Sequence, residues 1–151
     1  IHNQVKPLFV LFVQLVVGKE VSLWQKMKLL YKEETYKIQG AIYEVNKEIG
    51  SGFLEAVYQE CLEQELHNRG IPYQAQQPLT ILYKGKPLKQ TYKPDLICYN
   101  KIIIELKAVK EIAPEHQAQI LNYMKATNLK LGLLVNFGSH PKATIKRFIT
   151  K

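Results

Sequence analysis

Arginine is nearly absent from this 151-residue chain: Arg69 and Arg147 are the only two, so lysine supplies almost all of its 21 basic side chains. Lysine meets phosphate as a point charge, whereas bidentate reading of base edges draws on the arginine fork, so any nucleic-acid contact here is expected to have low sequence preference. Aspartate is scarcer still, with Asp95 standing alone among 13 acids. The two cysteines, Cys61 and Cys98, lie far apart in a helical and a strand pattern and lack CxxC or histidine spacing. That excludes a zinc or dithiol motif and leaves both as reduced core residues of a cytoplasmic protein. No apolar run approaches the ~20 residues of a membrane helix. Internal repeats and low-complexity segments are missing too.

What is present suits one globular domain: 46% of residues are hydrophobic and 23% charged. A chain of this size can bury roughly two-thirds of its unfolded surface, so folding needs no disulfide or structural metal. The formal net charge of +8 favours a polyanionic partner without proving one. Residues 7–17 form an apolar run broken only by Gln14, too short to span a bilayer and followed by no A-x-A-like cleavage site. The first methionine is Met27. Residues 1–26 therefore read as an upstream extension or accessory segment, with a membrane or secretion signal and an ordinary terminal strand or helix as the rivals, and 27–151 as the domain, which has no membrane segment.

Ile38, Ile42, Val45 and Ile49 recur at helical spacing and mark a first amphipathic helix from Glu33 to Ile49. After Gly50-Ser51-Gly52 a second helix is expected from about Leu54 to Asn68, ending at Gly70. Residues 77–83 and 88–92 flank a Lys-Gly-Lys-Pro turn and read as a hairpin, continued by segments 95–99 and 102–107 into a β-meander. A helix from Pro114 to Thr127 leads to Leu131–Asn136, apolar enough for a strand buried on both faces, and a last short element covers 144–149.

Asp95, Glu105 and Lys107 interrupt apolar β segments, where a charge is costly unless it is used or paired. Two neighbouring carboxylates would attract a hard divalent cation, and a lysine beside them could position water and offset transition-state charge. Period two sets Glu105 and Lys107 on one face and Leu106 on the other. A plain two-residue hairpin at Asn100-Lys101 would leave Asp95 on the wrong face. A three-residue loop, placed at 100–102, or one β-bulge would restore it, and one of these is expected.

The array Pro94-Asp95 followed by Glu105-Leu106-Lys107 resembles the PD-(D/E)XK nuclease superfamily, and Gly52-Phe-Leu-Glu55-Ala-Val-Tyr58 resembles the signature of its GxxExxY subgroup. Gln119 to Tyr123 is similar to the QxxxY element of related nucleases, and Gly132 to Gly138 to the subgroup's closing strand. The resemblance runs from about Tyr31 to Ile149. It implies an α/β domain with a mixed central sheet flanked by helices, in the order ααββββαβ, and Mg²⁺- or Mn²⁺-dependent hydrolysis of nucleic-acid phosphodiesters. It further implies Asp95 and Glu105 as metal ligands with the Leu106 carbonyl, and Lys107 as the water-positioning residue. Glu55 would serve the same or a second metal, and Tyr58 would brace it or touch phosphate. Gln119 and Tyr123 would support the site, with His116 a weaker candidate on their helix face. Small nucleases of this kind often work as dimers, so a homodimer is a candidate assembly. The subgroup often carries a histidine near the end of the first helix; Asn46 stands there, and that role is lost.

Each assignment has a plainer rival. Asp95 could cap a turn beside Pro94, Glu105 and Lys107 could be a solvent-side ion pair, and Glu55 a solvated helix glutamate. Gln119, Tyr123 and His116 could serve packing and local hydrogen bonds. The lysines at 84, 86 and 89 and at 125 and 130 suit either a solvated face or a phosphate track. At the level of function the rivals are a nucleic-acid-binding or regulatory protein on a degenerate nuclease fold and a small interaction protein whose acidic cluster is structural.

Overall fold

Ile38, Ala41, Ile42 and Val45 form a single buried stripe along helix α1 (Lys32–Ile49). Burying each of the larger ones contributes about 1.5–3 kcal/mol, more than helix propensity supplies over the same span. Glu33 and Glu34 in the first turn and Lys47 in the last complement the helix dipole. Gly50 ends the helix at φ +67°, its N–H returning to the Asn46 carbonyl. The Asn46 side chain accepts the Ala143 N–H at 2.9 Å, a structural tie at the place where the subgroup often has histidine. The structure is a computed structural model that describes residues 25–26 and 30–151. The apolar run 7–17, and all but two residues of the expected extension 1–26, lie outside the described residues. No described helix is long and apolar enough to cross a membrane.

Helix α2 (Glu55–Asn68) buries Tyr58, Leu62 and Leu66 at intervals of four. Cys61 is half-buried rather than a full core residue, while Cys98 is buried. Seven strands follow: β1 (Tyr73–Ala75), β2 (Leu79–Tyr83), β3 (Lys86–Tyr92), β4 (Leu96–Cys98), β5 (Ile102–Lys107), and then, after helix α3 (Pro114–Thr127), β6 (Leu131–Asn136) and β7 (Thr144–Ile149). The central sheet has the order β1-β4-β5-β6-β7, antiparallel except for the β5–β6 pair, which α3 connects. This is the mixed α/β architecture expected from the sequence, with β1 and β7 added to the expected order.

One expectation fails. The hairpin does not continue into the sheet as a meander; β2 and β3 pair only with each other. Leu79 and Ile81 instead pack beside α3, in the cluster of Tyr92, Ile103, Ile120, Met124, Leu134 and Phe148. The hairpin's apolar side is short and was better served by the helix than by a sheet edge.

Every residue of β6 is buried, as is usual for strands flanked on both faces. In β5 only Glu105 and Lys107 depart from full burial. Ile103 belongs to the α3-side cluster, so alternation puts Glu105 and Lys107 on that face, and Ile102, Ile104 and Leu106 on the other, where α2 packs on β5. Beyond the ladder, Asn136 stitches the exit of β5. Its amide donates to the Val109 carbonyl at 2.8 Å, and its oxygen accepts the N–H groups of Val109 and Gly138 at 3.0 Å each.

Gly138 runs so close to this exit that a Cβ would meet the Val109 carbonyl oxygen and, at 2.7 Å, its nitrogen. Gly138→Ala is predicted to destabilise the protein by about 1–3 kcal/mol, as overpacking does. An unchanged denaturation midpoint would contradict this packing.

Candidate active site

The turn between β4 and β5 decides whether a site exists. Cys98 pairs with Ile102, Ile97 with Ile103 and Leu96 with Ile104, which leaves a three-residue loop at 99–101. The loop is one place earlier than expected, and one step further along this register Asp95 stands opposite Glu105. Tyr99 and Asn100 both adopt positive φ, 54° and 57°, and the Lys101 N–H closes the turn on the Cys98 carbonyl at 3.1 Å. For tyrosine that backbone region is unfavourable, so the surrounding pairing must hold it there.

Past Leu96 the ladder stops, and proline explains why. Another step along the register would bring Pro94 opposite Leu106, and proline has no N–H to give the Leu106 carbonyl. The Leu106 N–H turns instead to the Asp95 carboxylate, reaching Oδ2 at 2.7 Å. Gln76 approaches Oδ1 at 3.4 Å and sends its own N–H to the Asp95 carbonyl at 3.2 Å, which also accepts Gln59 Nε2 at 2.9 Å. Asp95 is thus fixed by the last β1 turn, by α2 and by β5 together.

Glu105 is mostly buried and accepts a hydrogen bond from the Tyr92 hydroxyl at its Oε1. Burial first, and then the neighbouring Asp95 carboxylate, push its carboxyl up to about 7, while the Tyr92 bond pulls the other way. Tyr92 is itself raised, by burial and then by Glu105, so its proton stays on the phenol and is donated. The Tyr92 ring stacks on Tyr123 of α3 at 3.8 Å and 6° between planes. Tyr123 therefore reaches the carboxylates through Tyr92 and not directly.

Lys107 is half-buried one pleat beyond Glu105 on the same face; its ammonium has no ion pair among the described residues. Glu55 is exposed at the start of α2 and lines, with Gln59, Gln76, Asp95 and Leu106, a cleft of about 570 Å³. It shares this cleft but joins no tighter group: among the described residues no three of His, Cys, Asp and Glu gather around one point.

The remaining candidates lie elsewhere. Tyr58 is fully buried against Phe137, with ring centroids 4.3 Å apart. Its hydroxyl donates to the Gly50 carbonyl at 2.7 Å and accepts the Phe53 N–H at 3.3 Å. It braces the loop that leads to Glu55 and has no surface to offer a phosphate. His116 accepts the Ala113 N–H at Nδ1, 3.2 Å, and so serves the start of α3. Gln119 is exposed one turn before Tyr123, without a hydrogen bond to either carboxylate among the described residues.

Three residues that position the carboxylates escaped the sequence reading: Tyr92, Gln59 and Gln76. Gln59 lies four residues after Glu55 and so on the same helix face, a signal that spacing alone could have given. Tyr92 is the one buried position in β3 and stands three residues before Asp95. Gln76 left no signal, because its role depends on β1 pairing with β4.

A carboxyl raised in the folded state binds protons that the unfolded chain has already released. Stability is therefore present below about pH 4.5 and is lost as pH rises to about 7. The prediction is that metal-free protein loses stability across that window and that Glu105→Gln flattens the profile. Equal slopes for wild type and variant in denaturant titrations at several pH values would refute the buried-acid assignment.

No curated protein matches the chain in sequence. Among solved structures, the crystal structure of SSO0001 is similar over 63% of this chain, at 20% identity and a TM-score of 0.49; the aligned part is 50% of that protein, so the similarity spans about half its length. The sequence model described as the PD-(D/E)XK nuclease superfamily matches residues 32–148, which hold both helices before the sheet, the Asp95–Glu105 pair and all of the strands but the last residue of β7. With most of its length inside that match, the chain belongs to the PD-(D/E)XK nuclease superfamily.

Proposed function

We propose that this protein is a divalent-metal-dependent nuclease of the GxxExxY subgroup, hydrolysing phosphodiester bonds of nucleic acid. The observation that carries this reading is the juxtaposition of Asp95 and Glu105 across the β4–β5 turn, with Lys107 on the same face as Glu105. Membership of the superfamily supports nucleic acid as the substrate class.

The donor set fits Mg²⁺ or Mn²⁺. Two carboxylates and a main-chain carbonyl are hard oxygen ligands, and Mg²⁺ typically takes one or two protein carboxylates and leaves the rest of its octahedron to water and phosphate. Burial and then the Asp95 charge raise the Glu105 carboxyl, and a divalent ion between the two carboxylates would oppose the second of these. Asp95 and Glu105, with the Leu106 carbonyl, would hold the ion. A bound ion would supply Lewis acidity toward the phosphoryl oxygen and the attacking water.

The chain's own groups do the rest. The Tyr92 hydroxyl and the Leu106 N–H fix one oxygen of each carboxylate, so the pair is oriented before substrate arrives. Lys107 donates hydrogen bonds to the attacking water and offsets negative charge at the phosphorus. Glu55, across the cleft from Asp95, adds an acid for the same ion or a second one. Two free thiols, one of them buried and raised to about 12, are compatible with a reducing, cytoplasmic setting. One centre per chain cuts one strand at a time, so two-strand cleavage would take a homodimer.

The rival reading, a nucleic-acid-binding or regulatory protein with little catalysis, draws on the position of Glu55 outside any three-donor group. Cleavage of labelled single- and double-stranded DNA and RNA, with Mg²⁺, Mn²⁺ or EDTA, separates the two. The expected outcome is metal-dependent cutting, reduced about 100-fold or more in both Asp95→Asn and Lys107→Ala. The asparagine oxygen can still accept from Leu106, so that variant should fold. Thermal stabilisation by Mg²⁺ that Asp95→Asn abolishes, with no cutting by any preparation, would overturn the nuclease and favour the rival.

A further inference from the structure

We propose that the β2–β3 hairpin is a single-stranded nucleic-acid-binding arm, with Lys84, Lys86 and Lys89 on phosphates and Tyr83 stacked on an unpaired base. The inference rests on the reading above that the chain acts on nucleic acid, and deepens it by naming the strand type and the surface that holds it.

Charge is the first argument. Between Glu65 and Asp95 the sequence contains no acid at all, while residues 84, 86, 89 and 93 are lysines. A second acid-free stretch follows Glu115, but its basic residues are spread over α3, β7 and the segments around them, whereas the hairpin gathers Lys84, Lys86 and Lys89 within six residues. None of these four lysines has an ion-pair partner among the described residues. A concentrated positive surface of this kind attracts a polyanion at long range.

The second argument separates a binding arm from a solvated face. Solvation accounts for exposed lysines, but it does not account for the apolar groups placed among them. Tyr83 is 62% exposed, Leu82 54% and Leu88 43%. Lys84 Nζ lies 5.6 Å from the Tyr83 ring centroid. An exposed ring beside a cation, with exposed aliphatic side chains on the same hairpin, matches the two surfaces of a single strand, base faces and phosphates. A duplex keeps its base faces stacked inside and offers the ring nothing comparable.

Position supplies the third argument. The base of the hairpin is anchored: Leu79 and Ile81 pack beside α3, and Tyr92 binds Glu105. The tip pairs Tyr83 with Lys86 and turns through Lys84 and Gly85, both at positive φ. From Lys86 to Tyr92 the strand extends about 20 Å at ~3.3 Å per residue. A strand lying along the arm would thus run from the lysines to the carboxylate pair, since Tyr92 is followed by Lys93, Pro94 and Asp95. No arginine lies on the arm, so contact without base-edge reading is expected.

The test is fluorescence anisotropy of the full chain with labelled oligothymidine, oligouridine and a 20-base-pair duplex, in EDTA so that nothing is cut, from 50 to 200 mM salt. Expected is tighter binding of the single strands than of the duplex. The triple variant Lys84→Gln, Lys86→Gln, Lys89→Gln should lose at least 10-fold in affinity, with a salt slope smaller by about two. Tyr83→Ala should lose about five-fold or more on its own, and Lys125→Gln should match wild type. All changed side chains are exposed, and thermal unfolding verifies the fold. Binding that ignores the lysine and tyrosine changes, preference for the duplex, or no binding by wild type would overturn the arm. Binding that depends on the arm in a protein that cuts nothing refutes the nuclease and leaves the arm standing; cutting indifferent to the arm does the reverse.

Discussion

Two carboxylates face each other across the end of a β-ladder, and most of the surrounding structure is arranged around that fact. Left to themselves, Asp95 and Glu105 repel, and burial adds to the penalty on charging Glu105. They are held together because the β4–β5 pairing leaves no choice. Its buried isoleucines fix the register, and a register slip of one residue would turn Glu105 and Lys107 into the opposite face.

The supports are distributed over the whole fold. The Tyr92–Tyr123 stack ties Glu105 to the hairpin and to α3, while Gln59 and Gln76 tie Asp95 to α2 and β1. Pro94 ends the ladder where the Leu106 N–H is needed by the Asp95 side chain. The Tyr58 hydroxyl does comparable work for the loop before Glu55, which explains a tyrosine in that motif without any contact to substrate.

Acids and lysines are segregated around this centre. The carboxylates sit where the β4–β5 ladder ends, beside a cleft lined by the glutamates of α2, and the acid-free stretch before Asp95 forms a separate ribbon.

Much of this was legible in the chain itself. Helical stripes gave α1, α2 and α3 to within a residue or two, because burying a face requires periodic apolar residues; the continuous run at Leu131–Asn136 gave a strand covered on both sides. The isolated charges in apolar strands pointed to Asp95, Glu105 and Lys107, since only paired or used charges persist there. Face parity alone required a three-residue loop or a β-bulge before Asp95 could share a face with Glu105, and the structure has the loop. What the sequence could not decide was partnership between distant segments. Whether the hairpin joins the sheet or packs on α3, that Tyr92 reaches Glu105, that Gln76 reaches Asp95, and that Tyr58 and His116 serve loops and caps all depend on which surfaces meet. Local periodicity says which face of an element is apolar; only close packing says what lies against it.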